Sequence, residues 1–229
     1  MSKRDKERIT LGSGKLFIME FTGQLPKLEE ICQRNNILGW IKGGASLEYT
    51  SETYEEKDDL GMVTKIITTS EEAILKAGIL TWNGNTLSTL TDTGRTYIED
   101  GKRVTKIGGL ENAKNKSYVI CFYHHDRKDG DIWVMIVGRN QAGLTLTWAT
   151  DSGSLLEPEF KALPHDEEGT LIEFVEELEI TGCTPTTDTE IDENKTYYTR
   201  SGSEGAYTYT KVTNPNKSSL STYYEPTYE

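Results

Sequence analysis

The residues best equipped for chemistry in this sequence are few and scattered. His124-His125-Asp126, close to Cys121, is the one cluster with the character of a metal site. Adjacent residues on a strand point to opposite faces, so two neighbouring histidines are poorly placed to share an ion. The cluster reads instead as the end of a strand running into the turn Asp126–Asp131, and a hydrolase built on His124–Asp126 is the least favoured reading. His165 lies in an acidic loop, and the chain has three histidines in all, which leaves a Ser or Cys nucleophile little choice of base. No GxSxG elbow is present. Gly12-Ser13-Gly14-Lys15 has the look of a phosphate loop, but Leu16 stands where that motif requires Ser or Thr. It reads as a turn leading into a strand. Paired acids are plentiful and sit in polar turns, as solvated surface does, rather than flanking a sugar-binding cleft. The chain is therefore expected to be no enzyme, with no catalytic residue, no metal and no cofactor.

Bulk composition narrows the function classes further. With 229 residues, a net charge of −12 and 35% hydrophobic residues, the chain suits a thin layered β core rather than a thick α/β one. Its acidic surface would repel a phosphate backbone, and the basic residues Lys3, Arg4, Lys6 and Arg8 are interrupted by Asp5 and Glu7. Residues 1–9 read as an N-terminal arm. Cys32, Cys121 and Cys183 are widely spaced and odd in number, so the chain is expected to be reduced and cytosolic when made. No signal peptide and no membrane span are read, and the sequons at Asn115, Asn194 and Asn216 then carry little weight.

The elements follow from period and punctuation. Residues 10–21 read as a strand, and Pro26 opens a helical turn that places Leu28, Ile31 and Cys32 on one side. Gly39, Gly43 and Gly44 read as a break before a new strand near Ala45. Residues 46–68 then form a long hairpin whose segment Glu52–Gly61 carries five acids against Lys57 alone. Such a hairpin has little to bury and needs a partner. Residues 71–82 read as a separate strand, and Asn83 as the N-cap of the main helix, over Leu87 and Leu90. A strand at 104–107 follows. Residues 118–123, 132–137 and 144–148 read as a three-strand meander, with the Asp129-Gly130 pair as its first turn. Residues 157–162 and 170–178 read as a last hairpin.

After residue 180 the composition shifts to Thr, Ser and Tyr, and residues 181–229 read as a small appended β module. Its tyrosines are either that module's own core or an exposed binding surface. Tyr197, Tyr198, Tyr223 and Tyr224 are the candidate surface-binding residues. On that basis a carbohydrate- or cell-surface-binding β protein is the alternative function.

Several segments together resemble the major tail protein, or tail tube protein, of long-tailed phages that infect Gram-positive bacteria. They are residues 38–49 (Leu38-Gly39-Trp40-Ile41-Lys42-Gly43-Gly44-Ala45-Ser46-Leu47-Glu48-Tyr49), Lys57-Asp58-Asp59-Leu60-Gly61, residues 131–143, and Phe160-Lys161-Ala162-Leu163-Pro164-His165-Asp166-Glu167-Glu168-Gly169-Thr170. The resemblance covers roughly residues 9–180 in order. It implies two packed β-sheets, sandwich- or barrel-like, with one flanking helix and a long hairpin arm, in a tube domain spanning 1–180. It implies a virion protein, assembled in the host bacterial cytoplasm, with six copies closing a ring and rings stacking into a tube. Glu48, Glu52, Glu55, Glu56, Lys57, Asp58 and Asp59 become the lumen and inter-ring residues. DNA would slide through an acidic lumen without specific binding. The implied partners are further copies of the chain and the tape measure, distal tail and tail terminator proteins, with no membrane.

Overall fold

The structure, a computed structural model, describes residues 14–60, 64–126, 130–148, 150–151, 153–178, 180–186, 190–192, 195–201 and 208–228. The expected N-terminal arm, Ser13 of the phosphate-loop-like turn and Asp129 of the expected turn lie outside those residues. The chain divides into two compact units, 1–176 and 177–229.

The first unit is mostly β, and seven of its nine described strands form one sheet that closes on itself. β1 (Lys15–Glu20) pairs with β2 (Ile37–Lys57) on one side and β6 (Tyr118–His124) on the other. β2 pairs with β3 (Thr64–Ile79), β3 with β8 (Glu159–Leu163), and β8 with β7 (Ile132–Asn140). The β6–β7 ladder completes the circuit, so the layers expected from the sequence belong to one continuous barrel-like sheet. β9 (Glu173–Glu176) adds to the first half of β7, beside the stretch where β8 adds to its second half.

Alternation along these strands separates two cores. Leu16, Leu38, Ala73, Leu75, Ala77, Ile79, Ile120, Ile136, Phe160 and Ala162 fill the inside of the barrel. Phe17, Val119, Cys121, Met135 and Val137 point the other way and are covered by Ile31 of the short helix α1 (Leu28–Ile31) with Leu25, Leu28 and Cys32 around it. The expected turn after Pro26 thus serves as a lid over the outer face.

The helix α2 (Gly84–Leu90) forms where Asn83 was expected to cap it. Its Oδ1 accepts from the backbone N–H of Asn85 at 2.8 Å and of Thr86 at 3.4 Å, which answers two of the helix's orphan donors. Leu90 and Leu87 then reach the barrel core.

Four expectations are corrected by pairing. Gly43 and Gly44 do not end a strand. They hold φ of +85° and +84° inside β2, at a bulge between Ile41 and Ala45, where glycine tolerates the left-handed backbone. The returning strand of the hairpin does not stop at 68 but runs on through 79 as one element, bulged at Thr69. Residues 144–148 form no strand: Leu144 and Leu146 pack on the barrel core while Trp148 stays 75% exposed. The segments near 157–162 and 170–178 do not pair with each other, because β7 takes both as partners. One hairpin was not foreseen, β4 (Arg95–Glu99) with β5 (Lys102–Lys106), turning on Asp100 and Gly101 at φ of +50° and +71°.

The second unit is a four-stranded antiparallel sheet in the order β10 (Ile180–Pro185), β13 (Tyr223–Tyr228), β11 (Tyr198–Ser201), β12 (Thr208–Lys211). Tyr197 and Tyr223 are its core, 1% and 4% exposed, with Ile191 and Val212 against them. Among the described residues, no helix in the chain is long and apolar enough to cross a membrane.

Candidate functional site

The most distinctive feature of the first unit is the outer part of the β2–β3 hairpin. The ladder continues to Lys57 opposite Thr64, yet every residue from 46 to 60 and from 64 to 71 is exposed. β1 pairs with β2 only as far as Trp40, and β8 pairs with β3 only at Ile74–Lys76. Residues 50–57 and 64–71 therefore form a ribbon with neighbours on neither edge among the described residues. At about 3.3 Å per residue, its eight-residue outgoing arm extends roughly 25 Å.

Register assigns each side chain to a face. Glu48, Glu52, Tyr54 and Glu56 share one face with Ile74, Glu72, Ser70, Ile67 and Lys65 of the returning strand. Leu47, Tyr49, Thr53, Glu55 and Lys57 share the other with Ile66. The residues expected to act as one acidic set are thus divided: Glu48, Glu52 and Glu56 lie on the first face, Glu55 and Lys57 on the second, and Asp58 and Asp59 at the turn. At the base, Lys76 meets Glu48 at 3.2 Å and Glu159 at 3.6 Å, and Lys161 meets Glu72 at 3.0 Å. The Lys76 ammonium is held above its ordinary range, chiefly by the hydrogen bond to Glu48. Farther out, Lys57 meets Glu55 at 2.8 Å and Ser70 donates to Glu52 at 3.0 Å. Tyr49 donates to Glu71 and Tyr54 to Glu56, and these carboxylate acceptors raise both phenol pKa values. None of these pairs is enclosed, so solvent screens them and they add little to stability. Tyr54 (53% exposed), Ile66 (62%) and Ile67 (47%) remain open among the charges.

The sequence-level cluster around His124 behaves differently. His124 is buried and His125 is exposed, on opposite sides of the strand end, as period two requires. His125 Nδ1 lies 2.6 Å from Asp131 Oδ1, while Tyr123 Oη donates to Asp131 Oδ2 at 2.7 Å. Burial pushes the Asp131 carboxyl up, but the hydrogen bonds from Tyr123 and His125 outweigh it and hold the group below its usual range. A carboxyl with a depressed folded-state pKa stabilises fully above the unfolded value of about 3.9 and loses that contribution as pH falls through the folded value. Asp131→Asn should therefore melt below the parent at pH 7, and the gap should close as acid takes the pH below the depressed folded-state value. Thermal unfolding of both proteins across that range measures it.

The thiols lack the setting of activated nucleophiles. Burial raises the pKa values of Cys32, Cys121 and Cys183, which keeps them protonated near neutrality. Among the described residues, no group of three or more His, Cys, Asp or Glu is arranged to hold a metal ion.

In the second unit, alternation splits the four candidate tyrosines. Tyr197 and Tyr223 are buried core residues, which corrects their reading as surface contacts. Tyr198 and Tyr224 are cross-strand partners on the opposite face, half-buried. Tyr209 meets Tyr224 edge to face at 5.7 Å, and the Arg200 guanidinium lies 4.7 Å from the Tyr224 ring centroid. Tyr209 was not singled out from the sequence, although its two-residue spacing from Tyr207 marks a strand. Half of the proposed sugar-binding set is thus committed to the unit's own packing. No protein-family model and no curated protein matches this chain.

Proposed function

We propose that the chain is a non-catalytic structural subunit of a phage tail tube, assembling into stacked rings of six copies around an acidic lumen that conducts DNA. One observation carries this reading: among the described residues, the ribbon formed by residues 50–57 and 64–71 has two unpaired edges and no interior. A two-stranded ribbon in water is marginal by itself, and open edges invite pairing with another chain. A ring of identical subunits satisfies both edges at once, because each ribbon borders two neighbours. A closed circle of such ribbons leaves no edge and surrounds a channel. With the ribbon's second face toward the channel, Glu55 and Glu71 against Lys57, together with Asp58 and Asp59 at the turn, give the wall a negative excess that resists DNA adhesion.

The partners on this reading are further copies of the chain, with tape measure, distal tail and tail terminator proteins at the tube's interior and ends. The protein works in the virion after assembly in the host bacterial cytoplasm. Negative-stain microscopy of the purified chain, concentrated and seeded with tail initiation components, provides the test. Rings or tubes with a central channel are expected. A monomer under all those conditions would remove the proposal.

A further inference from the structure

We propose that the first face of the ribbon docks on the β4–β5 hairpin of a second copy of this chain. The inference rests on self-assembly and names the surface that receives the ribbon. In a chain of net charge −12, the hairpin 95–106 is locally basic, with Arg95, Lys102, Arg103 and Lys106 against Glu99 and Asp100. All four cations are exposed, and none pairs with a carboxylate among the described residues.

The hairpin's two faces have different fates. Thr96 and Thr105 share a hydrogen bond at 3.2 Å, and Thr96 Oγ1 donates to the Gly84 carbonyl at 3.1 Å, so this face backs onto α2. The opposite face is built from three cross-strand pairs: Arg95 with Lys106, Tyr97 with Val104, and Glu99 with Lys102. Lys106 lies 5.2 Å from the Tyr97 ring centroid, which keeps the cation beside the apolar row.

The ribbon presents the matching sequence of rows. Glu52 pairs across with Ser70, Tyr54 with Ile67, and Glu56 with Lys65. Both surfaces therefore carry a central apolar pair with charged rows two residues to either side. Rows on any strand repeat about every 7 Å, so the two sets coincide when the faces meet. Tyr54 and Ile67 then cover Tyr97 and Val104. Glu52 meets Arg95 and Lys106, Glu56 meets Lys102, and Lys65 meets Glu99. Tyr54, Ile67 and Tyr97 are covered and the charges of these rows face their opposites, the pattern that selects a partner and orients it. A second copy is the occupant because this chain itself supplies the complementary face.

Charge reversal tests the docking. Glu52→Lys with Glu56→Lys, or Lys102→Glu with Lys106→Glu, is expected to reduce tube yield by about tenfold or more while the monomer keeps its circular dichroism spectrum. Combining all four substitutions restores the pairing and should restore tubes. Zero-length carbodiimide cross-linking of wild-type tubes reads the same contact without a mutation. Mass spectrometry should find Glu52 or Glu56 joined to Lys102 or Lys106 in assemblies and not in monomers. Wild-type tubes with unaffected double variants, no rescue by the combined variant, or ribbon cross-links only to other lysines would overturn this docking. Wild-type protein that never assembles would instead remove the tube reading itself.

Discussion

Replacing residues 51–71 by an Asn-Gly turn should yield a folded, soluble monomer that forms no tubes. Thr50 and Glu72 are direct cross-strand partners, so a two-residue turn can join them where the ladder is already closed. The excised residues, where described, are all exposed, and the barrel core begins at Ala73 and Leu75 beyond the cut. The ion pairs Lys76–Glu48 and Lys161–Glu72 at the ribbon base are retained. Unfolding free energy should stay within about 1 kcal/mol of the parent, as expected for removal of surface groups that support no core. Assembly should fall below detection in microscopy and sedimentation, because the two free edges are gone. Chemical denaturation beside sedimentation velocity separates these effects. Tubes from the shortened protein would show that the ribbon is not what joins the subunits. A molten monomer would show that the ribbon contributes to folding after all.

That separation between a fold and its surface also explains what could be read from the sequence. Strands with one or two buried faces announce themselves: Tyr118–Tyr123 and Ile132–Val137 are apolar runs, and their residues are buried on both sides. Asn83 was legible because a cap is a local device, complete within four residues. The errors fall where pairing is not local. β8 and β9 are adjacent in sequence, yet each is claimed by β7, and no residue within them records that choice. Leu144 and Leu146 alternate as a strand would but find core contacts without a ladder. β4 was missed because four of its five residues are exposed, which erases the alternation, although the Asp100-Gly101 pair could have marked its turn.

The site was legible as composition but not as arrangement. The acid excess of residues 52–61 stood out at once, and so did its poverty of buried residues. Its division between two faces required the register, including the bulge at Thr69 that shifts every later pairing by one. The basic face of β4–β5 was invisible because Arg95, Lys102 and Lys106 come together only when the hairpin folds. Tyr197-Tyr198 and Tyr223-Tyr224 show the same limit on a smaller scale. Period two guarantees that one of each pair points inward, but only the fold says which.

Gly138→Ala should be the most damaging single substitution in the barrel, for the opposite reason to the ribbon. Gly138 sits where β7 changes neighbours: it pairs with Tyr118 of β6 on one side and Ala162 of β8 on the other. A Cβ there would lie 2.1 Å from the Lys161 carbonyl oxygen and 2.9 Å from its carbon. Those are backbone atoms in a strand held by its own ladders, so no side-chain rotation relieves the clash. The β7–β8 ladder would have to separate, and that ladder is one of the contacts that close the circuit. Overpacking a core costs about 1–3 kcal/mol, and a backbone collision belongs at or beyond the upper end. Gly153→Ala is the control, since its Cβ would meet only the Leu80 Cδ1 atom at 3.0 Å, the end of a flexible side chain. The denaturation midpoint should fall sharply for the first and little for the second. Equal midpoints would mean that β7 and β8 do not approach as closely as this. Assembly should fail in Gly138→Ala together with folding, whereas ribbon removal costs assembly alone, so the pair of variants divides the scaffold from the surface it presents.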